Sequence, residues 1–131
     1  MSGVNFKLKR QSSETMLELS QKIIDEMTKG FFSSEIEVCN IEHVGDTEVL
    51  LLGFERYYLR AGSSAAVIIQ CICTGDTQMA VVSGLGGETG LLHESWGANE
   101  DIAYKVLGIL RTYGFAQEKE ESMKCGRKNY P

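Results

Sequence analysis

The chain has no excess of positive charge: thirteen Lys and Arg stand against eighteen Asp and Glu, for a formal net charge of -5. That balance opposes attraction to nucleic-acid phosphates or to anionic lipid. Residues 117 to 131 hold four of the basic and three of the acidic side chains, so residues 1 to 116 carry a net of -6. No apolar run approaches the ~18 residues of a membrane span. Met1 to Arg10 lacks the apolar stretch and small-residue cleavage site of a secretory signal. The expectation is a soluble, cytoplasmic protein with neither nucleic acid nor membrane as partner. No C-x-x-C pair is present: Cys39, Cys71, Cys73 and Cys125 supply only C-x-C spacing, with His43 and His93 the two histidines. Cys71 and Cys73 would share one strand face as small hydrophobes, so no metal and no other cofactor is expected. Internal repeats, linkers and a second domain are also missing.

What is there suffices for one core. The 131 residues are 43% apolar and 24% charged, which fits a single domain that folds without staples. Val4, Phe6 and Leu8 alternate with Asn5, Lys7 and Lys9, the period of a half-buried strand. Ser12 or Ser13 then offers an N-cap, followed by an amphipathic stripe of Met16, Leu19, Ile23 and Met27 joined by Leu17 and Ile24. Gly30 closes that helix. From Glu35 the period becomes two, and turn signals at 45–46, 61–63, 75–76 and 84–87 divide the middle of the chain. Strands are expected at 35–43, 47–58, 65–74 and 77–85, with a shorter one near 89–95. Asn99 suits the N-cap of a second helix whose face is Ile102, Val106, Leu110 and Tyr113, closed by Arg111 and Gly114. Residues 116–131 show no periodicity and are expected to be a mobile charged tail on a 1–115 domain.

The order strand, helix, four or five strands, helix predicts a two-layer α+β fold, an antiparallel sheet of about five or six strands with both helices on one face. The TATA-binding-protein-like topology has this order, and helix-grip binders elaborate it. The second face should be wet, yet Val49 and Leu51 oppose Leu50, Leu52 and Phe54. Likewise Ala66, Ile68 and Ile72 oppose Ala65, Val67, Ile69 and Cys71. A sheet apolar on both sides needs a cover: a second subunit, a small hydrophobic or amphipathic ligand, or the segment Glu88 to Trp96. A homo-oligomer is the leading expectation, because symmetric dimers are the commonest soluble assemblies.

Chemistry-bearing candidates are few. Glu55, Arg56, Tyr57 and Tyr58 form the densest polar and aromatic cluster, with Glu55 and Tyr57 on one strand face and Arg56 and Tyr58 on the other. They could join a small polar site at a sheet end, or be ordinary cross-strand pairs. Gly84, Gly86 and Gly87 lack the spacing of a phosphate loop and read as a hairpin turn needing positive φ. His93, Glu94 and Ser95 are adjacent, so an extended chain points them in alternating directions and no triad results. His93 could serve a polar site, and Trp96 anchors the entry to the last helix.

The run Glu55-Arg56-Tyr57, then Gly62, Gly75-Asp76, the glycines at 84, 86 and 87, and Trp96-Gly97 resembles small bacterial proteins classed as domain of unknown function 6054. The resemblance covers about residues 47 to 113 and implies no catalytic residue. Three functions remain open on sequence: a non-enzymatic self-associating domain that binds a small apolar ligand near the sheet, a small enzyme using Glu55, Arg56, Tyr57 or His93, and a protein-interaction module.

Overall fold

Alternating apolar residues in β1 (Gly3–Gln11) turn one side of the strand into the core, and it pairs along its length with a later strand of the sheet. A computed structural model describes residues 3–30, 33–58, 62–86 and 98–118. After β1 come α1 (Met16–Thr28), β2 (Glu35–Val44), β3 (Thr47–Tyr58), β4 (Ser63–Thr74), β5 (Thr77–Gly86), α2 (Ala98–Thr112) and β6 (Ala116–Gln117). The fold is α+β. Its open antiparallel sheet has the order β2-β3-β4-β5-β1-β6. Two-residue turns join β2 to β3 and β4 to β5, and in them Gly45 and Gly75 both hold φ +61, a conformation that costs glycine little. Both helices cover one face.

Local chemistry explains the start of α1, and both expected N-caps are corrected. Thr15, not Ser12 or Ser13, caps α1: its hydroxyl accepts from Glu18 N at 3.0 Å while its own N–H donates to Glu18 Oε1 at 3.0 Å. This reciprocal box needs Glu three residues after the cap, which neither serine has. Ser12 instead accepts from Glu14 N. Leu17, expected on the apolar stripe, is 56% exposed, because the buried stripe runs through Met16, Leu19, Ser20, Ile23 and Met27. α2 begins at Ala98, so Asn99 lies inside its first turn instead of capping it. Its buried face holds Ile102, Ala103, Val106, Leu107 and Leu110.

The core lies between these helices and one side of the sheet, where Leu8, Leu50, Leu52, Phe54, Val67, Ile69, Cys71 and Val82 are all buried. Cross-strand register stacks them: Leu52 faces Ile69, which faces Val82. Of the glycines expected to form a turn, two lie in a strand instead. Gly84 is buried within β5, opposite Val67 and Val4, and Gly86 ends that strand; Gly87 is outside the described residues. Ladder partners far along the chain, not local composition, hold Gly84 extended. β6 adds a strand after α2 that no periodicity announces, and Glu118 continues it with an ion pair to Lys9 at 3.2 Å. The expected strand near 89–95, the segment Glu88 to Trp96 and the tail from residue 119 lie outside the described residues.

Candidate functional site

The helix-facing side of the sheet carries one buried polar cluster. Arg10 keeps the phase of Leu8 and so points inward, 8% exposed. Its Nε donates to Gln78 Oε1 (2.8 Å), Nη1 to the Tyr113 carbonyl (2.7 Å) and Nη2 to Glu14 Oε1 (2.9 Å), while its guanidinium lies 4.5 Å from the Phe115 ring centre. Lys22 Nζ donates to Glu14 Oε2 at 2.8 Å and sits over the Tyr113 ring. Burial pushes the Glu14 carboxyl up, but the hydrogen bonds and charges of Lys22 and Arg10 outweigh it and hold its pKa below the ordinary value. Gln78 Nε2 donates onward to the Ser12 and Glu14 carbonyls. Each of the three Arg10 guanidinium nitrogens thus donates one hydrogen bond, and together they tie β1, β5, the start of α1 and the end of α2. This is a clamp, and sequence reading missed it because two of its three hydrogen-bond partners are 68 and 103 positions away.

The opposite face is different in kind. Reading across β1, β5, β4, β3 and β2, one row is Lys9, Met79, Ile72, Val49, Glu42. The next is Lys7, Val81, Gln70, Leu51, Asn40, and the third is Asn5, Ser83, Ile68, Gly53, Val38. Ile68, Ile72, Met79, Val81, Val49 and Leu51 are only half-buried, Val38 and Leu85 are exposed, and no described helix or strand packs over them. Gly53 keeps this surface low: a Cβ there would stand 3.2 Å from the Val38 Cβ. The two-sided apolarity expected from sequence is therefore present. Its rim is polarised, with Lys7 and Lys9 on β1 and Glu35, Glu42 and Glu55 on β2 and β3.

Of the six residues singled out on sequence, three have described side chains. Glu55 is exposed on the open face, directly opposite Glu35, a like-charge pair. Tyr57 is 59% exposed on the same face. Arg56 is half-buried on the helix side, across the sheet from both. Together with burial, which is the larger effect, its charge lowers the pKa of Lys105 on α2. Tyr58 ends β3 opposite Ser63, with its side chain outside the described residues, as are His93 and Trp96. The strand thus divides Glu55 and Tyr57 from Arg56.

Cys71 is buried among the core residues, and burial pushes its thiol up to about 12; Cys73 is half-buried and Cys39 exposed. Among the described residues no three His, Cys, Asp or Glu side chains gather as metal ligands. No described helix is long and apolar enough to cross a membrane. The profile of a family of unknown function (DUF6054) matches residues 1–114, extending the sequence resemblance through β1, α1 and β2. No curated protein and no solved structure matches the chain.

Proposed function

We propose, for a chain that belongs to the DUF6054 family of unknown function and inherits no activity from it, a non-enzymatic role as a self-associating domain whose open sheet face is buried between copies. The observation that carries this reading is the half-exposed apolar array on β3, β4 and β5, on the side away from both helices. Sheet faces of this kind bury well against a second sheet about 10 Å away. Five strands at about 4.8 Å, over the length from the Gln11 row to the Gly3 row, make a plane of about 650 Å². A pair of such planes hides about 1,300 Å², within the range of specific interfaces.

Assembly is favoured over capture of a small apolar ligand because ligand sites are concave, whereas both helices here lie on the far side of an open sheet. The enzyme reading draws less support: its described candidates, Glu55, Tyr57 and Arg56, are split between two faces. A cytoplasmic setting accords with the free thiols of Cys39, Cys71 and Cys73. Light scattering of the full chain across a dilution series tests the proposal. A dimer mass that falls to monomer on dilution is expected; a monomer at every concentration overturns it.

A further inference from the structure

The rim charges fix how a second copy can sit. Lys9 and Glu42 lie at opposite ends of one row, four strands apart or about 19 Å, with Met79, Ile72 and Val49 between them. Two identical sheets can meet face to face about a two-fold axis in the plane between them. If that axis ran across the strands, β1 would lie over β1 and β2 over β2, setting Lys7 and Lys9 against lysines and Glu42 against the partner's acidic rim. If it ran along the strands, β1 of each copy would lie over β2 of the other. Rows would then stay in step: Lys9 would meet Glu42 twice per dimer, and Lys7 would meet Asn40.

We propose that the chain forms an isologous dimer through its open face, with the two-fold axis parallel to the strands and running over β4. The inference rests on the self-association argued above and adds the orientation. Under this symmetry Gln70, the one polar side chain at the centre of the array, faces its own copy. A primary amide both donates and accepts, so the two can pair reciprocally across the axis. Val81 faces Leu51, and Met79 faces Val49. Ile68 and Ile72 on β4 meet their own counterparts. The aligned sheets of this arrangement match the usual small angle of sheet-on-sheet packing. The like charges Glu35 and Glu55 fall at one end of the face, beyond the apolar rows.

The test is a charge exchange, read by native mass spectrometry and light scattering. All chains carry Glu118→Gln, because Glu118 pairs with Lys9 within one copy. K9E and E42K are prepared separately, mixed, and combined in one chain. Alone, each variant sets like charges together twice, and dimer affinity is expected to fall about ten-fold or more. Mixed, they restore both pairs, so the heterodimer should exceed its statistical share. The chain with both exchanges should dimerise like its parent. If both single variants dimerise as tightly as the parent, or mixing gives a statistical distribution, the orientation is wrong while self-association stands. Pairing edge to edge through β2 would leave K9E at parental affinity, and also overturns it. If the parent itself is a monomer, the underlying reading fails first.

Discussion

Leu51 and Leu52 are neighbours in β3 that point to opposite faces, and truncating each to Ala separates the two sides of the sheet. Leu52 is fully buried, between Ile69 and Cys39 in the ladder and beneath the helices. Leu52→Ala leaves a cavity that the surrounding Phe54, Leu50 and Ile69 cannot close, at a cost of about 3 kcal/mol. For a domain of this size that lowers Tm by about 12 °C, at about 4 °C per kcal/mol. Leu51 is half-buried, so in the monomer Leu51→Ala removes apolar surface already partly wet and costs about 1 kcal/mol or less. In the dimer the remaining half of each Leu51 is buried as well, about 1 kcal/mol per copy, which weakens association about 30-fold. Urea unfolding at two protein concentrations, with light scattering at each, measures both effects. Leu52→Ala should shift the midpoint equally at the two concentrations, and Leu51→Ala by a small amount in dilute monomer and by more where the parent is dimeric. If Leu51→Ala costs as much as Leu52→Ala in dilute monomer, the open face is packed within one copy and the reasoning is refuted.

The clamp around Arg10 yields two expectations. Arg10→Met removes the donor to Gln78 Oε1, Glu14 Oε1 and the Tyr113 carbonyl, leaves Glu14 with Lys22 alone, and should destabilise the fold by about 3 kcal/mol, measured by denaturant titration; Arg10→Lys should recover only part, since an ammonium cannot span Gln78, Glu14 and Tyr113 together. The folded-state pKa of Glu14 lies below its unfolded value, so its contribution is complete above the ordinary carboxylate range and is lost as pH falls through the folded value. Glu14→Gln should therefore be less stable than the parent at neutral pH, with the gap closing on acidification; a gap that stays constant down the acid limb contradicts the assignment. In a chain with serine at positions 73 and 125, a thiol reagent should modify exposed Cys39 within the mixing time scale of free thiols, and Cys71, buried with its pKa near 12, only at the rate of unfolding. Equal labelling rates for Cys39 and Cys71 would show that the core face is not closed.

Period-two alternation made the sheet legible, since strands β2 to β5 fall close to where alternation and glycine turns place them. The apolar second face was legible for the same reason: Val49 and Leu51, Ile68 and Ile72 break the alternation visibly in the sequence. Local signals failed where several compete. Three glycines near residue 84 look like a turn, yet Gly84 is held in β5 by Val4 and Val67. Serines at 12 and 13 look like caps, yet only Thr15 has Glu18 in the place that completes a capping box. Arg10 follows Lys9 and reads as one more surface cation, and only the inward phase of β1 and acceptors far along the chain make it a clamp. Of the proposed polar site, the strand period alone separates Glu55 and Tyr57 from Arg56. The polarity of the rim, lysines on β1 and glutamates on β2, is invisible until the strand order sets those strands at opposite sides of the face.

The most direct test of the central claim is native mass spectrometry of the full chain purified from cells. The account predicts a dimer whose mass is twice that of the chain, with no added small molecule and with dissociation on dilution. A chain that remains a monomer, or a monomer that reproducibly carries a small-molecule mass, would contradict it and assign the open face to something other than a second copy.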